Sequence, residues 1–130
     1  MTRRVLAVDC DPGVLTVLRK RLESAGYDVS TAADGFEALR KAYAERPDLI
    51  LLDVIMANLN GLQVCTRLKS DPSTRNIPIV MMTENRIGEP ANALRAGANA
   101  ALDKPYEGAK LLRLIEELLR RADEERASSR

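Results

Sequence analysis

Short, unbroken apolar runs punctuate this chain: Val5-Leu6-Ala7-Val8, Leu49-Ile50-Leu51-Leu52 and Ile77-Pro78-Ile79-Val80-Met81-Met82. Runs this short, without polar alternation, predict strands buried on both faces, as in a parallel sheet. Residues 27–32 predict a further strand with some alternation. Residues 98–102 complete the series, and their place in the alternation is the main reason to read them as a strand.

Between the runs, apolar positions recur at helical spacing. Asp11 and Pro12 predict an N-cap and a first helical position. Val14, Val17, Leu18, Leu22 and Ala25 form the stripe behind them, and Gly26 ends the helix. Asp34, three residues before Glu37, predicts a second cap, with Phe36, Leu39, Ala42 and Tyr43 as the stripe and Pro47 as the stop. Asn60 predicts a cap for a helix carrying Leu62, Cys65 and Leu68, and Asp71 to Thr74 form a turn cluster. Glu89-Pro90 opens an Ala-rich helix that stops at Gly97, and Leu111, Leu112, Ile115, Leu118 and Leu119 mark the last one. Residues 122–130 read as a charged, frayed tail on a solvated helix end.

Strand and helix thus alternate five times. That predicts an α/β, doubly wound (βα)5 parallel sheet with right-handed crossovers and helices on both faces. The expected strand order is 2-1-3-4-5, the flavodoxin-like arrangement. Residues 1–122 form one domain on this reading, and 123–130 a tail.

Composition narrows the chemistry. The 130 residues carry 20 basic and 19 acidic side chains, a net charge of +1. That balance argues against nucleic acid or an anionic membrane surface as partner. With no His, His-based acid–base catalysis and His metal ligation are excluded. Aromatics make up only 3%, so the core is built from Leu, Ile, Val and Ala. No apolar run approaches the roughly 20 residues of a membrane span. Cys10 and Cys65 form no CxxC pair and no secretory signal opens the chain, so a cytoplasmic, reduced protein is expected.

The unusual polar residues fall at the carboxyl ends of the predicted strands. Asp9 and Asp11 follow the first, Asp53 the third, Thr83 the fourth and Lys104 the fifth. All therefore face one crevice, where such folds bind ligands. Asp53 reads either as a helix cap or as the working residue, and Asn60 is the better placed to cap. The set suits phosphoryl transfer to a carboxylate. A carboxylate acts as nucleophile, a hard cation such as Mg²⁺ relieves crowded carboxylates, and an ammonium and a hydroxyl hold phosphoryl oxygens.

Val8-Asp9, Leu51-Leu52-Asp53, Met82-Thr83 and Lys104-Pro105 together closely resemble the receiver domain of two-component response regulators, in its stand-alone, chemotaxis-regulator-like form. The resemblance runs from about Arg4 to about Arg121. It implies that Asp53 is the phospho-acceptor from a sensor histidine kinase or phosphotransfer protein. It also implies that Thr83 moves toward the phosphoryl group, that Lys104 pairs with that group, and that Asp9 and Asp53 support Mg²⁺. A cis bond is implied at Lys104-Pro105. Such a protein is not an enzyme beyond catalysing its own phosphoryl transfer and dephosphorylation. Partners or a second copy would meet the face from the fourth helix to the fifth, bounded here by Pro90 and Leu119. If the chain is a full protein, its output comes from association rather than an attached effector.

Four positions depart from that family. Cys10 stands where the direct metal ligand is usual, and a neutral thiol is a poor partner for Mg²⁺. Weakened Mg²⁺ affinity is expected, with Asp9 moving in or Asp11 substituting. Ala101 stands where an aromatic switch residue is usual, so output must run through the loop after Thr83 or be weak. Glu84 replaces a small residue after Thr83, and its carboxylate repels phosphate. Ala57 replaces the usual Pro four residues after Asp53.

Plainer roles compete. Asp11 caps a helix as readily as it binds metal, Cys65 on its apolar stripe reads as core, and Cys10 reads as inert in an acidic crevice. Two other functions compete as well. One is a degenerate receiver that binds partners without phosphorylation. The other is a small haloacid-dehalogenase-type phosphatase using Asp9 and Asp11, which leaves Asp53 unexplained.

Overall fold

The computed structural model describes residues 2–84 and 86–128. Five strands and five helices alternate along the chain: β1 (Arg4–Val8), α1 (Pro12–Ser24), β2 (Asp28–Ala32), α2 (Gly35–Glu45), β3 (Leu49–Asp53), α3 (Gly61–Ser70), β4 (Ile79–Thr83), α4 (Glu89–Arg95), β5 (Ala100–Asp103) and α5 (Gly108–Ser128). The strands form one parallel sheet in the order β2-β1-β3-β4-β5, as the alternation predicts.

Side chains on a strand point alternately to opposite faces, and this divides the core in two. Leu6, Val8, Ile50, Leu52, Ile79 and Met81 pack with Ala38, Ala42, Val64, Cys65, Leu68 and Ala93 under α2, α3 and α4. Val5, Ala7, Leu49, Leu51, Val80 and Met82 pack with Leu18, Leu22, Leu111 and Ile115 under α1 and α5. Both faces of β3 are therefore covered, and Leu49 to Leu52 are each at most 1% exposed. Burying each such side chain stabilises the fold by about 1.5–3 kcal/mol.

The helix caps appear as read. The Asp11 carboxylate accepts from Gly13 N, Asp34 from Glu37 N, and Asn60 forms a full capping box with Gln63. Several details differ from the sequence reading. On α1, Val17 is 56% exposed and Ala25 is a solvent-facing cap, while Leu15 packs on the core instead. On α2, Phe36 and Tyr43 are exposed, and Gly35, Ala38 and Ala42 are buried. In both helices the large residue lies roughly a quarter-turn off the buried arc, and small residues let α2 approach the sheet. Arg46, in the left-handed region at φ 49°, ends α2 before Pro47 is reached. The fifth strand begins at Ala100, not at residue 98. Beyond residue 122 the chain is not frayed: α5 continues through Ser128, and Asp123 pairs with Arg3 and Arg126.

One glycine ties the sheet to the loop after Asp53. Gly61 N donates to Val54 O at 2.9 Å, and a Cβ at Gly61 would fall onto the backbone carbonyl of Asp53. Gly61→Ala is expected to lower unfolding stability by roughly 1–3 kcal/mol in urea denaturation. Unchanged stability would show that the loop shifts freely.

Candidate functional site

Parallel register brings the strand ends together. Asp53 lies opposite Met82 of β4, and Thr83 opposite Asp103 of β5. Asp9 follows β1, its N–H donating to Ala32 O at 3.2 Å. Lys104 follows β5, its N–H donating to Thr83 O at 2.8 Å, and the Lys104-Pro105 bond is cis. Asp9, Asp53 and Thr83 are all buried.

Lys104 is the hub. Its ammonium lies 3.1 Å from Asp9 Oδ2, 3.5 Å from Asp53 Oδ2 and 3.5 Å from Glu84 Oε1. One cation thus serves three carboxylates. Asp9 is held at its other oxygen as well, where Asp11 N donates at 2.9 Å. Asp53 Oδ1 receives a longer bond of 3.4 Å from Ile55 N.

These surroundings set the ionisation of the site. Burial, with the neighbouring Asp9 charge adding to it, pushes the Asp53 carboxyl up to about 6, against the pull of Lys104 and Ile55 N. Burial alone would lower the Lys104 ammonium, but the hydrogen bond it donates to Asp9 and the charges of Asp53, Asp9 and Glu84 raise it on balance. Lys104 is therefore positively charged across the physiological range, and Asp53 is mostly ionised above its raised midpoint.

Asp9, Cys10 and Asp53 present ligand atoms that all lie within 4.8 Å of one another. Cys10 is exposed, and its Sγ lies 3.9 Å from the Ile55 carbonyl oxygen. The two carboxylate oxygens suit a hard divalent ion. The sulfur does not, so the donor set fits Mg²⁺ only in part. Asp11 stays outside this cluster, because its exposed carboxylate is committed to Gly13 N at 2.8 Å. Its reading as a cap holds. Cys65 is buried in the core, and burial raises its thiol to about 11.

Two contacts escaped the sequence reading. The Thr83 hydroxyl donates to the Asp103 carboxylate, so an anion on the next strand already holds it. Pairing the ends of the fourth and fifth strands would have exposed this. Glu84, read as a repulsive charge, also engages Lys104, and its backbone N–H donates to the Glu89 side chain. Ala101, where the family resemblance leads one to expect an aromatic ring, is half-buried against the core under α2, α3 and α4.

Comparison with known proteins places this geometry. The family model of the response regulator receiver domain matches residues 5–116. The chain belongs to that family. It is 37% identical over 124 residues to the alkaline phosphatase synthesis transcriptional regulatory protein PhoP of Bacillus subtilis, covering 95% of this chain and 51% of that protein. It is 40% identical over 121 residues to the response regulator PleD of Caulobacter vibrioides, covering 92% of this chain and 27% of that one. The chain thus spans about half the length, or less, of these curated relatives. Among solved structures, a CheY-like receiver domain from Methanospirillum hungatei superposes with a TM-score of 0.90 at 28% identity, covering 96% of this chain and 99% of that one. The receiver domain of the sensor histidine kinase PA1611 from Pseudomonas aeruginosa, solved with magnesium in its active-site cleft, gives 0.85 at 33% identity, covering 92% and 98%. The chain is accordingly a receiver domain of two-component phosphorelay signalling, a class that works with histidine kinases or phosphotransfer proteins. Among the described residues, no helix is long and apolar enough to cross a membrane.

The raised Asp53 carboxyl has a consequence for stability. The folded state holds this proton more tightly than the unfolded chain, whose carboxyl titrates near 3.8. Its stabilising contribution is therefore complete below about pH 4 and is lost as pH rises through about 6. In metal chelator, Asp53→Asn should be more stable than the parent above pH 6, by on the order of 2 kcal/mol. The gain should shrink toward pH 4 in urea titrations. A pH-independent difference would contradict the assignment.

Proposed function

We propose that Asp53 accepts a phosphoryl group from the phosphohistidine of a sensor kinase or phosphotransfer protein, and that the phosphorylated domain signals by binding another protein. The observation that carries this is the single Lys104 ammonium bridging Asp9, Asp53 and Glu84 at the strand ends. An Asp53 oxygen attacks phosphorus, an O–P bond forms, and the N–P bond to the donor imidazole breaks. The imidazole leaves with the electron pair and takes a proton. Lys104 stabilises charge on the transferred oxygens. A divalent cation, held by Asp9 and Asp53, would supply further neutralisation. Cys10 in place of a third oxygen ligand weakens the site for Mg²⁺.

Thr83 reads the modification. To reach the phosphoryl group its hydroxyl must leave Asp103. With Ala101 in the switch position, the change passes instead into the loop after Thr83. Glu84 carries it there, because it touches Lys104 through its side chain and Glu89 of α4 through its N–H. The face bounded by Pro90 and Leu119, which exposes Leu94, receives the downstream protein target or a second copy. The near-neutral charge supports a protein partner over nucleic acid, and a cytoplasmic setting fits two reduced cysteines. The chain turns over no substrate beyond its own phosphoryl group.

A second reading, a binding module that works without phosphorylation, is favoured by one observation: Glu84 occupies part of Lys104 and sets a negative charge at the site mouth. Incubation with acetyl phosphate and divalent cation, followed by intact mass, separates the two. One phosphoryl adduct, absent in Asp53→Asn, is the expected result. No adduct at any metal concentration would leave the binding module.

A further inference from the structure

The misfit between the donor set and Mg²⁺ has a chemical direction. Three protein ligands from separate side chains, Asp9 O, Cys10 S and Asp53 O, converge, two of the residues buried and Cys10 exposed. A donor set of two carboxylate oxygens and one sulfur suits a borderline, thiophilic ion better than a hard one. We propose that this site takes Zn²⁺-class divalent cations, with Cys10 Sγ as a direct ligand beside the carboxylates of Asp9 and Asp53. This deepens the receiver reading by naming the cation, and it stands or falls separately from phosphorylation of Asp53.

The geometry needs little adjustment. Ligand atoms around tetrahedral Zn²⁺ lie roughly 3.4–3.8 Å apart, given bonds of about 2.0–2.3 Å. The three atoms here lie within 4.8 Å of one another. Cys10 is exposed and its Sγ has only a 3.9 Å contact to the Ile55 carbonyl, so it is free to turn inward. As the metal–sulfur bond forms, the thiol proton leaves to solvent.

The neighbouring charges also permit it. A cation on Asp9 and Asp53 competes with Lys104 for both carboxylates, which lie 3.1 and 3.5 Å from its ammonium. Elsewhere that would strand a half-buried ammonium. Here Glu84 Oε1 is already 3.5 Å from Lys104 Nζ, and it retains the ammonium while the metal takes both carboxylates. The two departures at Cys10 and Glu84 thus act together: one supplies the soft ligand, and the other receives the displaced Lys104.

Zn²⁺ binds most sites more tightly than Mg²⁺, so preference alone decides nothing. The test is its dependence on Cys10. Metal-stripped protein is titrated with Zn²⁺ and Mg²⁺ by calorimetry, and with Cd²⁺ while thiolate-to-metal charge-transfer absorbance is followed. The parent and Cys65→Ala should both develop the Cd²⁺ band, and Cys10→Ser should not. Cys10→Ser should also lose at least the roughly tenfold Zn²⁺ affinity that even a ligand's supporting partner typically contributes. Cys10→Asp should gain Mg²⁺ affinity and lose the band. Zn²⁺ affinity unchanged in Cys10→Ser, or a Cd²⁺ band that survives in it, would overturn the proposal. An intact band in a protein that takes no phosphate from acetyl phosphate would refute phosphorylation and leave the metal assignment standing.

Discussion

Two carboxylates lie side by side at the carboxyl ends of two neighbouring buried strands, and one ammonium bridges them. Burying Asp9 and Asp53 ionised is costly, and each raises the cost of the other. Lys104 offsets both at once, from the far side of the sheet. Its position depends on β5 pairing with β4 in register and on its own N–H bonding Thr83 O. The parallel order of the sheet is therefore a requirement of the site. A slip of one residue in any of three strands would turn a charged group into the apolar core.

Lys104 does not satisfy its partners equally. It is nearest to Asp9, farther from Asp53, and drawn outward by Glu84. Burial first, and the Asp9 charge second, push the Asp53 carboxyl up to about 6, and the more distant Lys104 offsets them only in part. That imbalance is consistent with the proposed role of Asp53 as phospho-acceptor. Thr83 shows the same economy of contacts. Its hydroxyl rests on Asp103, so the hydroxyl that would read phosphorylation is already engaged and must be won from a competing anion.

Fold and site were legible to different depths. The unbroken runs identified the buried strands, because a strand covered on both faces has no polar alternation to preserve. Caps at Asp11, Asp34 and Asn60 were legible because a side-chain acceptor before an apolar stripe has one local use. The inward side of each helix was less so. Phe36 and Val17 are apolar yet exposed, while Ala38 is buried and Leu15 packs on the core, since the side of the helix turned to the sheet decides burial and not size. The site residues were readable from their positions at strand ends. Their competing partners were not, because Asp103 and Glu84 act across strands and loops, where only register and side-chain reach decide the contact.

The central claim is that Asp53, and not its neighbour Asp9, forms the acyl phosphate. Borohydride reduction of an aspartyl phosphate yields homoserine at the modified position. Protein treated with acetyl phosphate and divalent cation, then reduced, digested and mapped by mass spectrometry, should carry homoserine at residue 53 alone. Homoserine at residue 9 would contradict the account and return the site to a phosphatase-like chemistry.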